Sequence, residues 1–490
     1  MRASGILMHI SSLPEKNGIG TFGRQAYRFV DFLEKSGQKY WQILPMGPTG
    51  YGNSPYQSCS AFAGNPFFID LDFLRKDGLL RKEEYAGSWG DNAEKVDYDI
   101  LTERRLRVLY KAYERFVPGG AYEAFCRRNR EWLDDYALYM AIRNALGVPW
   151  MEWPEALRQR KRRALAQASR EYEEEIGFQK FLQYKFYEQW GYLKRYANRK
   201  GVYIIGDMPI YAAADSADTW SNPSQFQLKS DGYPQAVSGC PPDDYAKTGQ
   251  LWGNPVYRWD RMKKDGYKWW LDRIGAALKQ VDMIRLDHFR GLESYYSISA
   301  EDKTAEHGHW VKGPGMSLFY AIRDRFGKVP FIAEDLGMLT PEVHELRHKA
   351  GFPGMSVLQF AFSLKEESTY LPHNCKNDTV IYTGTHDNNT TLGWFDSLTL
   401  KEQMFVMAYT GVRQRSKISW GLIRSAWASP ADLAIAQMQE VLNLPAWARM
   451  NTPGTVGGNW EWRMKPDEPL DEIAYRLNHL TSLYFRKKHR

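Results

Sequence analysis

Four acidic residues follow short apolar runs in this 490-residue sequence, and they are its most informative feature. They are Asp207 after IIG, Asp287 after IRL, Glu334 after FIA and Asp387 after YTGTH. A carboxylate that leaves a buried strand is partly desolvated, which costs free energy unless the charge is paired or hydrogen-bonded. One such residue is easily explained as structural, whereas four in equivalent positions favour a catalytic cluster.

Carboxylates in this arrangement match the chemistry of glycosidic-bond cleavage. A retaining enzyme uses one as nucleophile and a second as acid and then base, about 5 to 5.5 Å apart. Arg285 lies two residues before Asp287, so on a strand both side chains share a face, and we expect Arg285 to keep Asp287 ionised. Glu334 follows three apolar residues, and we expect burial and a negative neighbour to raise its pKa. Asp387 is predicted to stabilise positive charge in the transition state.

Two histidines stand directly beside these acids in the sequence. His288 follows Asp287, and His386 precedes Asp387. A histidine in such a place often makes only a structural hydrogen bond. The position of both next to the acids assigned to catalysis favours a role in the same site, and both are therefore predicted to contact the substrate.

The acids need a scaffold that brings strand ends together, and the apolar runs predict one. The runs cover residues 6–10, 41–45, 202–210, 283–289, 331–337, 357–362, 379–387 and 433–438, the last of which fits a helix equally well. Helical periodicity between most of them indicates parallel strands joined by crossover helices. Eight such units predict an α/β fold of the (β/α)8 or TIM-barrel type, in which catalytic groups lie at the C-terminal ends of the strands.

Two long intervals interrupt the alternation of strands and helices. We therefore expect a single catalytic (β/α)8 barrel over 1–490 that carries insertions. The interval between the second and third runs, about 155 residues, is too long for a loop. Most of it has helical periodicity, which predicts an inserted, mostly helical subdomain over 67–200. A second insertion, 212–257, follows the third strand and is predicted to be irregular and to lie near the site.

The composition excludes several classes of protein. With 43% hydrophobic and 25% charged residues, the chain is typical of globular proteins. The net charge of +7 is not collected into one block, since the densest basic run, 158–163, is followed by the acidic residues of 171–175. We therefore expect no nucleic-acid partner. Aromatic residues reach 14%, which fits a large core and also fits rings that line a sugar-binding groove.

The cysteines and the apolar stretches bear on the compartment. Cys59, Cys126, Cys240 and Cys375 are scattered, without C-x-x-C or another metal-ligand spacing. Scattered thiols in a long chain indicate a reducing compartment. The N-terminus lacks a signal-peptide pattern, and no stretch reaches the roughly 18 to 20 apolar residues that cross a bilayer. We expect a cytoplasmic protein without a membrane partner.

Seven segments, in order, resemble the 4-α-glucanotransferases called amylomaltase or disproportionating enzyme, a branch of the α-amylase-like barrel enzymes. They are LPMGPTGYGNSPYQSCSAFAGNP (44–66), GDMPIYAAADSADTW (206–220), GQLWGNPVY (249–257), IRLDHFRG (284–291), IAEDLG (332–337), YTGTHDNNT (382–390) and MNTPGTVGGNW (450–460). The chain departs from the family in CPPDDYA (240–246), where Asp244 and Tyr245 are offset by one position from the PPDYF of other members.

The resemblance implies a role for each matching residue. Asp287 corresponds to the nucleophile, Glu334 to the acid/base and Asp387 to the transition-state stabiliser. The resemblance adds supporting and sugar-binding positions at Tyr56, Asp207, Trp252, Arg285, His386, Asn459 and Trp460. It implies no metal and no cofactor.

We therefore expect transfer of an α-1,4-glucan segment to the 4-hydroxyl of glucose or of another glucan, with maltooligosaccharides as substrates and no obligate protein partner. The first alternative is an α-amylase-type hydrolase, because water can attack the same intermediate. Aromatic loops at 51–56 and 251–257 fit acceptor binding and water exclusion, but the resemblance carries the choice of transfer. The second alternative is a non-catalytic glucan-binding protein, which the three intact acids disfavour.

Overall fold

The computed structural model describes residues 2–243, 246–337 and 339–487, which leaves Asp244 and Tyr245 of the unusual CPPDDYA segment outside the described residues. Its strands are β1 (Ala3–Leu7), β2 (Tyr40–Gln42), β3 (Tyr203–Met208), β4 (Ala236–Cys240), β5 (Gln250–Pro255), β6 (Met283–Leu286), β7 (Ser294–Ser299), β8 (His309–Lys312), β9 (Phe331–Ala333), β10 (Gly354–Val357), β11 (Thr379–Tyr382) and β12 (Leu433–Gln437).

Eight of these strands form one parallel sheet in the order β10-β11-β12-β1-β2-β3-β6-β9. The amide of Ala333 in β9 donates to the carbonyl oxygen of Pro353, just before β10, at 2.9 Å, and this bond joins the two ends of the sheet. The predicted (β/α)8 barrel is thereby confirmed. Each of the eight apolar runs contains or overlaps one strand, including the run at 433–438.

Most strands are shorter than the apolar runs that predicted them. The run at 379–387, for example, gives a strand that ends at Tyr382, yet Thr383, Thr385 and His386 beyond it are still buried. The sequence pattern follows burial rather than backbone pairing, and burial continues into the loops at the C-terminal ends of the strands, here called the rim.

The α-helices are α1 (Arg24–Lys35), α2 (Leu71–Lys76), α3 (Tyr98–Ile100), α4 (Leu106–Glu114), α5 (Gly120–Leu146), α6 (Glu155–Arg158), α7 (Arg162–Glu171), α8 (Glu173–Arg199), α9 (Ala217–Ser221), α10 (Trp259–Lys264), α11 (Lys268–Gln280), α12 (Met316–Phe326), α13 (Pro341–Ala350), α14 (Thr391–Ser397), α15 (Leu400–Thr410), α16 (Ile418–Ala428), α17 (Met438–Val441) and α18 (Leu470–Leu483). Within the described ranges, none of these helices has the length and hydropathy that a bilayer-spanning helix needs.

Alternate residues of the barrel strands pack in two separate layers. Ile205 and Ile435 belong to a cluster inside the barrel, whereas their neighbours Ile204 and Ala434 pack in the layer between strands and helices. Both faces of the strands are covered, which explains why they read as continuous apolar runs. Trp460 joins the inner cluster, so the interior is closed at the rim by an aromatic residue.

The stretch 67–200 contains helices α2 to α8, and its independence as a subdomain stays a prediction. Helix α8 carries two buried glutamines that bind backbone groups before α2. The Gln183 side chain accepts from the amide of Gly64 at 2.7 Å and donates to the carbonyl of the same residue at 2.9 Å. Gln189 holds Asp70 in the same way, at 2.6 and 3.2 Å. The first two bonds hold the end of the segment 44–66, which carries Tyr56, and the other two hold the residue before α2.

The stretch 212–257, predicted to be irregular, contains β4 and β5. They pair with β7 and β8 in an antiparallel sheet of order β5-β4-β7-β8. The register between β4 and β5 shifts between Val237 and Gly239, so the strands show no clean alternation that the sequence could reveal. Because β7 begins seven residues after Asp287, this sheet is held beside the end of β6.

We predict that Gln183→Leu lowers the free energy of unfolding by about 2 to 4 kcal/mol, because it leaves the buried amide and carbonyl of Gly64 without partners. Urea denaturation followed by circular dichroism measures the change. Tyr192→Ala, at an exposed position of the same helix, is the matched control and should have little effect. Equal stability of Gln183→Leu and the wild-type chain would contradict the clamp.

Candidate active site

The four predicted acids come together at the rim because all barrel strands end there. Asp207 lies in β3, Asp287 and Glu334 directly follow β6 and β9, and Asp387 lies five residues after β11. In the β3–β6 pairing, Asp207 is the register partner of Arg285. The sequence therefore predicted both the acids and the elements that position them.

One guanidinium nitrogen, Arg285 Nη1, holds two carboxylates. It lies 2.8 and 2.7 Å from the oxygens of Asp207 and 2.9 Å from Oδ1 of Asp287. Burial alone would lower the pKa of Arg285, but the two carboxylates raise it well above its ordinary value. The Asp207 side chain is fully buried, whereas that of Asp287 is 26% exposed. Asp287 is thus the member of this trio that a ligand reaches.

Glu334 is held by backbone donors and keeps part of its protonated form at neutral pH. Its oxygens accept from the amides of His288 at 2.7 Å and Leu336 at 3.1 Å. Burial raises its pKa to about 7, against the lowering effect of Arg285 and with the support of Asp287. The adjacent Asp335 is used differently, since it accepts from the amide of Met355 at 2.7 Å. The expected proton-carrying role of Glu334 fits this environment.

The chain turns sharply directly after Asp287. His288 has a φ of 50°, in the left-handed region that a residue with a side chain enters at a cost of about 1 to 3 kcal/mol. Its amide is the one that donates to Glu334, so the strained turn ties Glu334 to the residue next to Asp287. Burial lowers the pKa of His288 to about 4, despite Asp287, so its ring is neutral.

Asp387 is oriented by three residues, two of which the sequence reasoning missed. The Asn451 side chain donates to Oδ1 of Asp387 at 2.6 Å, and His386 Nε2 lies 3.3 Å from Oδ2. Arg449 donates to the backbone carbonyl of Asp387 at 2.6 Å. Asn451 lies in the segment MNTPGTVGGNW that the sequence singled out, but nothing in the pattern indicates which of its polar side chains points to an acid.

Aromatic rings form one wall of the site. The ring of Tyr56 stacks on His386 with centroids 5.2 Å apart, and Trp460 lies 5.8 Å from the first and 5.9 Å from the second. Tyr56 donates to Asp207 at 2.9 Å, and burial keeps its pKa well above the ordinary value, so it remains a donor. The structure thus brings Tyr56, His386 and Trp460 together beside the acids, as predicted.

The two remaining predicted residues differ in their placement. Trp252, in β5, contacts His288 edge to face with centroids 4.8 Å apart, so it borders the site. Asn459 is used inside its own loop: it accepts from the amide of Thr452 at 2.9 Å and donates to Thr455 at 3.1 Å. A direct sugar contact of Asn459 stays a prediction, and the observed bonds give it a loop-bracing role.

Among the residues that the structure describes, no group of three or more His, Cys, Asp or Glu side chains has the arrangement of a metal site. The rim presents three acids in different surroundings. Asp287 is paired with Arg285, burial raises the pKa of Glu334 to about 7, and Asp387 is 43% exposed and accepts from the Asn451 amide.

The chain is similar to proteins of one family over nearly its whole length. A family model described as 4-alpha-glucanotransferase matches residues 8–469. The 4-alpha-glucanotransferase of Clostridium butyricum is 48% identical over 485 residues, which cover 98% of this chain and 100% of the relative. That of Thermus thermophilus is 46% identical over 490 residues and covers 97% of both chains.

Two solved structures of amylomaltases are also similar to this chain. An amylomaltase from Streptococcus agalactiae, in complex with acarbose, has a TM-score of 0.97 at 42% identity and covers 100% of both chains. The amylomaltase of Corynebacterium glutamicum has a TM-score of 0.76 at 18% identity, with coverage of 100% of this chain and 75% of that one. The second likeness concerns the fold alone.

We predict that the stability contributed by Glu334 depends on pH. Its carboxyl has an ordinary pKa of 4.5 and a folded pKa of about 7, so between these values the folded state binds the extra proton, and stability is lost as the pH rises. Relative to wild type, Glu334→Gln should gain about 2 to 3 kcal/mol between pH 5 and pH 8 in urea denaturation. The control Glu301→Gln, at an exposed glutamate, should show no such gain. A pH-independent difference for Glu334→Gln would refute the assignment.

Proposed function

The chain belongs to the 4-alpha-glucanotransferase family, and from this premise we propose that Asp287, Glu334 and Asp387 carry out its transfer of α-1,4-glucan segments. The observation that supports this assignment is the contrast between two neighbouring acids. Arg285 pairs with Asp287, while burial holds the pKa of Glu334 at about 7. A double displacement needs one ionised and one protonated carboxyl at the same bond.

In the first half of the proposed reaction, an oxygen of Asp287 attacks the anomeric carbon of the donor glucan. The glycosidic C–O bond breaks, and the leaving oxygen takes the proton of Glu334, which becomes ionised. The products are an ester between the sugar and Asp287 and a shorter glucan with a free 4-hydroxyl. Asp387, held by Asn451, supports the positive charge that develops on the sugar ring.

In the second half, the 4-hydroxyl of an acceptor glucan gives its proton to Glu334 and attacks the anomeric carbon. The ester bond to Asp287 breaks, so the carboxylate is regenerated and the α configuration is retained. Transfer outruns hydrolysis where the acceptor is held in line, because positioning raises the effective concentration of its hydroxyl by orders of magnitude. The family membership favours transfer over the hydrolase alternative, and the intact acids disfavour a non-catalytic role.

The surrounding residues are proposed as the substrate contacts. One group is built on Tyr56, which donates to Asp207 and stacks on His386, with Trp460 at its edge. Arg285 joins this group through Asp207. Trp252 and His288 form another border of the site. The Streptococcus agalactiae relative was solved with acarbose. We propose maltooligosaccharides and other α-1,4-glucans as substrates here, with no obligate protein, nucleic-acid or membrane partner. The free thiols of the chain support a cytoplasmic location.

Maltotriose separates transfer from hydrolysis. We expect the wild-type chain to convert it into a ladder of longer and shorter glucans with glucose, and Asp287→Ala to lower the rate by about three orders of magnitude or more. Asp471→Ala, at an exposed acid of α18, is the control and should keep full activity. Chromatography with a reducing-end assay measures both. Glucose and maltose with a matching gain of reducing ends would indicate a hydrolase, and an active Asp287→Ala would exclude Asp287 as nucleophile.

Glu334 makes a separate prediction about pH. With maltotriose, kcat/KM of the wild-type chain should fall about tenfold for each pH unit above about 7, as Glu334 loses its proton. Glu334→Gln should be inactive on maltotriose but should react with α-maltosyl fluoride, whose leaving group needs no acid. Because the variant lacks the base for the second half, mass spectrometry should find the ester on Asp287. Failure of the fluoride to react would argue against the role of Glu334.

A further inference from the structure

An exposed tryptophan at the edge of the antiparallel sheet rests on a buried arginine. The guanidinium of Arg290 lies 3.7 Å from the ring centroid of Trp310. Arg290 is 9% exposed, whereas Trp310 remains 39% exposed. On β7, Tyr296 is the register partner of Trp310 and packs against it with centroids 5.1 Å apart. The indole is therefore held in place from below and from one side and is open to solvent elsewhere.

This pair is close to the proposed catalytic acids. Arg290 follows Asp287 by three residues, in a single turn of 3-10 helix at Phe289–Leu292. The pKa of the Cys240 thiol, at the end of β4, depends on the charges of the same group of residues. Burial and then Glu334 raise its pKa to about 12, Arg290 lowers it, and Asp287 raises it. The geometric link is the turn itself: the amide of His288 donates to Glu334, and Arg290, two residues further along the turn, contacts Trp310.

The role proposed for Glu334 indicates which part of a glucan would lie on its side of the site. Glu334 donates to the oxygen that leaves and accepts from the hydroxyl that attacks, so it stands on the side where the acceptor binds. The acceptor presents its 4-hydroxyl there, and its remaining glucose units must run outward from the site. An immobilised indole on this side of the site would offer a flat apolar surface to the C–H face of a sugar ring.

We propose that Trp310, supported by Arg290, is a stacking platform for a distal glucose unit of the acceptor α-1,4-glucan and so sets the preference for longer acceptors. This inference rests on the proposed function. A merely structural cation–π pair would be satisfied with the indole covered, whereas this one leaves a large part of the ring accessible at a catalytic rim. The rigid support of the ring by Arg290 and Tyr296 reduces the entropy that sugar binding would otherwise cost.

The test uses α-maltosyl fluoride as donor, because its leaving group does not occupy the acceptor side. Transfer rates are measured with glucose, maltose, maltotetraose and maltoheptaose as acceptors. Trp310→Ala should raise KM for maltoheptaose about tenfold with kcat nearly unchanged and should leave KM for glucose unaltered. Trp310→Phe should recover most of the loss. Tyr320→Ala is the matched control, since Tyr320 is an exposed ring beneath Arg323 on the outer helix α12.

Two outcomes would overturn the platform. An unchanged KM for maltoheptaose would show that the ring makes no contact, and an equal change for glucose and maltoheptaose would show a structural effect. Calorimetric titration with maltoheptaose separates this inference from the proposed function. If the wild-type chain transferred no sugar at all, the function would fail, while a tenfold weaker binding to Trp310→Ala would still support the platform and equal binding would reject it.

Discussion

The ion pairs of Arg285 are the interaction on which the site depends. A guanidinium buried inside the barrel is tolerated only because carboxylates surround it, and Asp207 and Asp287 supply them within 2.9 Å. Asp207 is sealed, and burial raises its pKa against the lowering effect of Arg285. Asp287 pairs with the same guanidinium and stays open to a ligand. Removal of Arg285 would leave two like charges at adjacent strand ends, and the barrel rim could not keep both ionised at low cost.

The same rim creates two different acids from similar side chains. Glu334 lies one strand away from Arg285, and its position lets burial dominate over the attraction of the cation, which holds its pKa at about 7. Asp387, on a longer loop, is 43% exposed; Asn451 and His386 contact its carboxylate, and Arg449 holds its backbone carbonyl. The three acids thus have different surroundings within one parallel barrel, and these fit the roles proposed for them as nucleophile, proton carrier and electrostatic support.

The sequence predicted what depends on local pattern and missed what depends on long-range placement. Arg285 and Asp287 share a face because they are two residues apart on a strand, and this was readable without a structure. The strands β4 and β5 were not readable, because a shifted register hides their alternation and the second partner of β4 lies at 294–299. Asn451 was missed because its partner, Asp387, lies 64 residues earlier in the chain. Asn459, eight residues after Asn451, bonds within its own loop.

These long-range contacts explain why the chemistry requires so much chain. The segment that carries Tyr56 is held by Gln183 of α8, a sheet from two separate segments lies beside the end of β6, and Asp387 is held by the last loop. Each part fixes a group that the eight strands alone would leave mobile. A barrel places charges at one rim, but it does not decide whether water or a sugar reaches the ester. That choice belongs to the surrounding loops, where the rings of Trp252 and Trp310 occupy opposite edges of one small sheet.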